Sequence, residues 1–149
     1  MSGAARSIGW ICRQCAAFFT PTRDDHVFYR GGIDGLIEAL TKRHEHIVFS
    51  MHHLGNVIIH FMGLESARVE SYAVVTQHTA GLLEKELAVT TTWCRYIDKF
   101  EQRGGEWRVL HRTLVIDATV TSRVQGDTNS SIPEGNRGRR DRLDPSYPR

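Results

Sequence analysis

Hydrophobic and polar residues along the first third of the chain predict one short helix. Apolar residues recur at helical spacing from Ile33 to Leu40, and Asp34 lies in the first turn, where the helix dipole favours an anion. We therefore predict a helix over residues 33–43. Pro21 ends any helix that precedes it, because the residue before a proline is excluded from the α region.

From residue 46 to residue 124 the pattern changes to that of β-strands. The predicted strands are rich in β-branched and aromatic residues and cover residues 47–61, 67–79, 89–101 and 107–121. Residues 63–66 and 102–105 have the length and the glycines of hairpin turns. Because consecutive strands joined by short turns pair antiparallel, the sequence predicts an α+β domain with helical material first and a meander after it.

The composition changes after residue 124. The segment from Gln125 to Ser131 is polar, and residues 137–142 contain four arginines. Such a segment cannot bury enough apolar surface to offset the entropy lost on ordering. We therefore divide the chain into one domain, residues 1–124, and an Arg- and Pro-rich tail, residues 125–149. The tail is expected to be irregular, and ordered only where it docks on the domain or on a second subunit.

The charge balance argues against nucleic-acid and membrane partners. Nineteen Lys and Arg stand against seventeen Asp and Glu, and the formal net charge is +2, without the massed basic residues that nucleic acid requires. No apolar run reaches the roughly 18 residues that span a membrane. The N-terminus lacks the apolar core of a signal peptide. Three cysteines cannot all pair, which favours a reducing compartment and a cytoplasmic location.

Two short motifs raise the question of a metal or redox site. Cys12 and Cys15 form a C-x-x-C, but Cys94 is the one other cysteine, and the chain lacks the βαβ alternation of thioredoxin-like proteins. His44 and His46 form an H-x-H, but no carboxylate follows at the spacing that a cupin metal site requires. We therefore expect no metal and no cofactor, and interpret both motifs as structural.

Polar residues within the apolar strands are the candidates for chemistry. His52 and Asn56 lie four residues apart, so they project from one sheet face if no bulge intervenes. His78 ends the next predicted strand and follows the alternation of Tyr72. We expect His52, Asn56 and Tyr72 to face one cavity. Neutral imidazole transfers protons near pH 7, and Tyr and Asn hydrogen-bond carbonyl or enolate oxygens, although a single histidine on an apolar strand is more often a core group.

These residues belong to a longer series of short motifs. The series comprises residues 52–57, residues 70–72 with His78, residues 95–101, and residues 105–109 with Arg112 and Asp117. In this order and spacing the chain resembles the SnoaL-like branch of the nuclear transport factor 2-like superfamily, over residues 24–124. Dehydratases, dehydrochlorinases and polyketide cyclases belong to this branch.

The resemblance implies a cone, a strongly curved antiparallel sheet wrapped by N-terminal helices, with a pocket between them. It places His52 at the catalytic histidine of the family and His78 at a second pocket histidine. In these enzymes an aspartate on the first helix partners the histidine, whereas here no Asp or Glu precedes Asp24. Either the sequence starts downstream of the natural start, or the protein lacks this acid–base dyad.

Two functions follow, from different classes. The first is a cofactor-independent dehydratase, cyclase or isomerase that acts on a hydrophobic, cyclic substrate, with His52 and His78 as catalytic residues. Its candidate substrate-binding residues are Asn56, Tyr72, Tyr29 and Arg112, the last as a contact for an anion or oxyanion. The second is a non-catalytic ligand-binding or dimerisation module of the same fold. An open sheet face also predicts a homodimer or a higher homo-oligomer.

Overall fold

The computed structural model describes residues 19–26, 29–80, 86–125 and 131–138. Two short strands, β1 (Phe19–His26) and β2 (Tyr29–Gly31), precede helix α1 (Ile33–Arg43) and a 3-10 turn (His44–His46). Four long strands follow: β3 (Ile47–Phe61), β4 (Ser66–Ala80), β5 (Glu86–Arg103) and β6 (Glu106–Gln125). The C-x-x-C motif lies outside the described residues, as does most of the tail.

The strands form one curved sheet in the order β2-β1-β6-β5-β4-β3. The predicted antiparallel meander of four strands is confirmed, and α1 and β3 have the predicted bounds. Strand β1 was not predicted, and it pairs parallel to β6. Proline and two aspartates make its sequence a poor strand by propensity, so pairing with β6 on one side and β2 on the other, and not the local pattern, favours this conformation.

Glycines set the tight turn between β5 and β6. Gly104 and Gly105 have φ angles of 59° and 83°, and Arg103 pairs with Glu106 directly across them. Two consecutive positive φ angles define the two-residue hairpin turn whose twist matches that of the flanking strands. This turn starts the register that aligns β5 with β6.

Helix α1 packs against β1 and β2. Leu36 is its buried residue, Asp34 lies in its first turn, and Lys42 and Arg43 lie in its last turn, where they complement the helix dipole. The hydroxyl of Tyr29 donates to the carbonyl oxygen of Gly32 at 3.0 Å, which fixes the chain at the helix start. No helix among the described residues is long and apolar enough to cross a membrane.

The two faces of the sheet differ in burial. Residues directly opposite each other on paired strands project from the same face. We call inner the face that carries the buried cluster of Ala73, Cys94 and Tyr96, against which Val75 and Leu114 pack. The other face, called outer, carries alternate residues such as Trp93, which is 42% exposed.

Four irregularities of register in the four long strands change which residues share a face. Two lie in β3, between Ile47 and Phe49 and between Leu54 and Val57, and two lie in β6, where Leu110 and Asp117 are the extra residues opposite β5. At each one the alternation of side chains restarts with the opposite parity. The position of a residue in the sequence therefore does not by itself give its face.

Described residues of the tail are few. Residues 131–138 contain a short 3-10 helix, Glu134–Asn136, and Arg137 donates from Nε to the carbonyl oxygen of Ile132 at 2.7 Å. This hydrogen bond is local to the segment. The division of the chain at residue 124 stays a prediction.

Candidate functional site

The inner face brings His52 together with Tyr96. His52 on β3 lies opposite Val75, and Tyr96 on β5 lies opposite Ser71, so both side chains project inward. The Tyr96 hydroxyl lies 3.4 Å from His52 Nδ1, at the long end of the hydrogen-bond range. Catalytic hydrogen bonds are often long before a substrate binds.

A buried ion pair fixes the ring of Tyr96. Arg112 donates from Nε to Asp98 Oδ1 and from Nη2 to Asp98 Oδ2, both at 2.7 Å, and Asp98 is 2% exposed. The Arg112 guanidinium lies over the Tyr96 ring, 4.4 Å from its centroid. A bidentate pair holds both partners in one orientation, and the cation over the ring adds an attraction of its own. Arg112 therefore fixes the ring of Tyr96 from one face.

Cys94 adjoins Tyr96 on the same face, and both belong to the buried cluster. Burial raises the pKa of the Cys94 thiol, and the neighbouring Tyr96 hydroxyl opposes this shift. Burial also raises the pKa of Tyr96 to about 12, and Cys94 acts in the same direction. Both groups are therefore protonated near neutral pH.

His52 is neutral near pH 7. Desolvation lowers its pKa, and the positive charges of His44 and Arg112 lower it further. The residue still has substantial solvent exposure. The two observations agree, since an imidazole can lie among protein atoms on one side and stay accessible on the other. The imidazole of His52 is thus both neutral and accessible from solvent.

Tyr72 and His78 do not lie on the face of His52, so the expectation of one shared cavity is wrong for them. Tyr72 is opposite Arg95 on the outer face, and the Arg95 guanidinium lies 5.9 Å from its ring centroid. The His78 ring packs on Phe49 at 4.8 Å between centroids. Strand β4 alternates without interruption, so residues 72 and 78 share one face and residue 75, opposite His52, has the other.

Asn56 is also separated from His52, because a bulge intervenes. Leu54 pairs with Ala73 and Val57 with Ser71, so Gly55 and Asn56 together stand opposite the outward-facing Tyr72. The shared face predicted from four-residue spacing is therefore wrong as well. Tyr29 lies on β2, at the other edge of the sheet, with four strands between it and β3.

Arg112, the candidate contact for an anion or oxyanion, lies on the inner face, where Asp98 engages its charge and two of its donors. Sequence inspection missed the three residues that organise His52, namely Cys94, Tyr96 and Asp98. Their alternation along β5 was available as a signal. The partner of Asp98 was not available, because the hairpin turn alone would align Asp98 with His111, and the bulge at Leu110 in β6 moves the register to Arg112.

The H-x-H histidines lie in the 3-10 turn after α1. There the Nδ1 atom of His44 is 2.7 Å from the carbonyl oxygen of Leu40, a contact that ends the helix. Within the described ranges, no group of three or more His, Cys, Asp or Glu is arranged to hold a metal ion.

Solved structures with the same fold come from bacterial enzymes and enzyme candidates. A candidate scytalone dehydratase from Novosphingobium aromaticivorans has 17% identity and a TM-score of 0.65, with 83% of each chain covered. A hexachlorocyclohexane dehydrochlorinase of type 3 from Novosphingobium barchaimii has 12% identity and a TM-score of 0.61, covering 79% of this chain and 83% of its own.

A third structure, a candidate dehydratase of the nuclear transport factor 2-like family from Streptomyces avermitilis, has 10% identity and a TM-score of 0.61. The match covers 78% of this chain and 90% of that one. At these identities the likeness establishes the fold. No protein with curated function matches the chain in sequence. Residues 14–113 match the SnoaL-like domain, and the chain therefore belongs to the SnoaL-like family of the nuclear transport factor 2-like superfamily.

Proposed function

We propose that the protein is a cofactor-independent lyase or isomerase in which His52 removes a proton from a hydrophobic, cyclic small molecule on the inner face. The observation that carries the proposal is the contact between His52 Nδ1 and the Tyr96 hydroxyl, at 3.4 Å, beside an imidazole that is neutral near pH 7. A neutral imidazole held at one nitrogen offers the other nitrogen as a base.

The proposed step uses one tautomer of His52. Tyr96 retains its proton near neutral pH, because burial raises its pKa to about 12. In the proposed site the Tyr96 oxygen accepts from Nδ1–H of His52, which leaves the lone pair on Nε2. Nε2 is thus the atom that removes the proton. An orienting partner at Nδ1 is the role that a carboxylate has in other histidine bases.

The proposed reaction has two variants with the same first step. His52 Nε2 takes a proton from carbon, and the electron pair of the C–H bond moves into the substrate. In a lyase that pair forms a C=C bond and expels a leaving group from the adjacent carbon. In an isomerase the imidazolium returns the proton at another carbon. Both dehydration and dehydrochlorination, the activities named for the related structures, are eliminations of the first kind.

The inner face limits how strongly His52 acts. The charges of Arg112 and His44 oppose the imidazolium that forms in the reaction. Asp98 offsets the charge of Arg112, but it bonds to Arg112 and not to His52. We therefore place Arg112 and Asp98 as positioning residues for Tyr96. His78, on the outer face, has no part in the proposed step.

The test is the loss of activity in a His52→Ala variant, against scytalone, hexachlorocyclohexane and cyclic hydroxy ketones as substrates. General-base action is worth about 10²–10⁴ in rate, so kcat/KM should fall by that factor. His53→Ala is the matched control, because His53 is the adjacent histidine and lies opposite Val74 on the outer face. Equal activity of the wild type and His52→Ala on every substrate contradicts the proposed base.

A second candidate function is a non-catalytic binding module of the same fold. It is favoured by one observation: within the described part of the chain, the hydrogen-bond partner of His52 is a phenol and not a carboxylate. Under this function His52→Ala retains the affinity for cyclic hydrophobic ligands, and no substrate is turned over. Isothermal titration calorimetry together with the activity assay distinguishes the two functions.

A further inference from the structure

A row of basic side chains crosses the outer face, away from His52. His60 on β3 lies opposite Arg68 on β4, Arg68 lies opposite Lys99 on β5, and Lys99 lies opposite His111 on β6. Directly opposite side chains have Cβ atoms about 4.5–5.5 Å apart, and like charges in such pairs are destabilising. We call these four residues the basic row.

Other cations on the sheet form ion pairs with neighbouring carboxylates. Arg95 pairs with Glu70 and Asp117, and Arg112 pairs with Asp98. By contrast, Arg68 and Lys99 are exposed and have no ion pair or side-chain hydrogen bond with any described residue. The centre of the basic row thus consists of two adjacent cations without an acidic partner among the described residues.

A cavity of about 370 Å³ opens at the centre of the basic row. Its lining includes Arg68, Lys99 and His111 from the row, with Thr113, Ile97 and Met62 beside them. Asp98 also contributes to the lining, but its carboxylate projects from the inner face and bonds to Arg112. The cavity therefore combines cationic groups with apolar wall, which is the composition of a site for an amphiphilic anion.

Acidic residues bound the basic row on both sides. Glu70 lies two residues beyond Arg68, and Glu101 lies two residues beyond Lys99 in the opposite direction along the sheet. The positive strip is consequently one residue wide. A long polyanion lying across it would meet these carboxylates, whereas a small anion seated in the cavity would not.

We propose that this outer-face cavity binds a small organic anion, with its carboxylate, phosphate or sulfonate between Arg68 and Lys99 and its apolar part on Ile97 and Met62. The site is separate from His52, because the sheet itself lies between the two faces. It does not depend on the reaction proposed above. A bound anion also relieves the repulsion within the basic row, so binding stabilises the fold.

The experiment is a ¹⁵N-resolved NMR titration of the full chain with 4-phenylbutyrate. Amide shifts are expected at Ile97, Lys99 and Thr113. The Arg68→Gln/Lys99→Gln double variant should weaken binding by about tenfold or more, since charge-assisted contacts are the strong ones. Lys42→Gln/Arg43→Gln on α1 removes the same charge elsewhere and should leave the affinity unchanged. His52→Ala should also leave it unchanged.

Three results would overturn the proposal. One is equal binding of the neutral analogue 4-phenylbutan-1-ol, which would show an apolar groove without charge recognition. Another is a set of shifts centred on His52 that disappears in His52→Ala, which would place the ligand on the inner face. The third is tighter binding of a single-stranded DNA oligonucleotide than of 4-phenylbutyrate, which would show a polyanion surface. Thermal unfolding of the double variant confirms that it is folded, so loss of binding is interpretable.

Discussion

At the scale of single residues, the protein assembles a histidine base without a carboxylate beside it. Tyr96 links His52 to Arg112, because its hydroxyl contacts Nδ1 and its ring lies under the guanidinium. Desolvation lowers the pKa of His52 most, and the positive charges of His44 and Arg112 lower it further. Arg112 thus helps both to orient the candidate base and to keep it neutral.

Removing the charge of His44 should raise the pKa of His52. In His44→Gln one of the positive charges that oppose the imidazolium is lost, so protonation of His52 becomes easier. The acid limb of the activity profile should move to higher pH, and so should the NMR titration of the His52 ring. His46→Gln, in the same 3-10 turn, is the control. An unchanged or lowered pKa in His44→Gln would contradict the assigned cause.

Acid should destabilise the fold through the same group. The folded pKa of His52 lies below the ordinary value of 6.5, so the unfolded chain binds the proton more readily. The free energy of unfolding contributed by neutral His52 is present above pH 6.5 and is lost as the pH falls toward the folded pKa.

Replacing Tyr96 by Phe should impair His52 without removing it. The variant keeps the ring under Arg112 and loses the hydroxyl that accepts from Nδ1. We expect kcat to fall by about tenfold, within the range of a single net hydrogen bond, with KM little changed. Tyr72→Phe, which alters a tyrosine on the outer face, should leave kcat as it is. A larger effect of Tyr72→Phe than of Tyr96→Phe would show that the active face is the outer face, and would contradict the proposed site.

At the scale of elements, periodicity predicted the strands but not their faces. The bounds of α1 and β3 follow from helical spacing and from a continuous β-branched run, and the Gly104-Gly105 turn follows from its glycines. The bulge at Gly55 and Asn56 had a weak signal, a glycine inside an apolar strand, which often marks a bulge. The glycine alone does not fix the register, because that depends on how the twist of two paired strands is accommodated.

The same limit explains which site residues could be predicted. His52 was predictable as a polar residue in an apolar strand, but its partner Tyr96 depends on the register of β3, β4 and β5 together. The face assignment of Asn56 failed because the bulge in β3 restarts the alternation, and that of Tyr72 failed because its face relative to His52 depends on the register between β3 and β4. The sequence thus showed which residues could act chemically, whereas which of them lie together depends on the pairing of the strands.

The Asp98–Arg112 ion pair stabilises the contact between β5 and β6. Asp98→Ala leaves Arg112, whose side chain is 25% exposed, without its acceptor, and such a loss costs about 1–3 kcal/mol of unfolding free energy. Urea denaturation measures this cost. Asp117→Ala is the control, because Asp117 also binds an arginine at two points but is 44% exposed, so its loss should cost much less. Similar costs for the two variants would contradict the special role of the buried pair.

At the scale of the whole molecule, the outer face of the sheet has two regions, one basic and one apolar. The basic row occupies the end near the β3–β4 turn. Toward the other end the outer face exposes large apolar side chains, with exposed fractions of 38% to 57%, at Phe49, Met51, Tyr72, Trp93 and Val120. Monomeric proteins seldom expose contiguous apolar patches of this kind. We therefore keep the proposal of a homodimer and assign its contact to this apolar patch.

A dimer formed through this patch should dissociate when a charge is placed at its centre. A symmetric interface uses the same surface on both copies, so Trp93→Glu introduces two carboxylates that face each other without counter-charge. Sedimentation velocity should give the mass of two chains for the wild type and of one chain for Trp93→Glu. Leu64→Glu is the control, because Leu64 is 93% exposed in the β3–β4 turn and lies outside the patch. A monomeric wild type, or a Leu64→Glu variant that dissociates as readily as Trp93→Glu, would show that this patch does not hold two copies together.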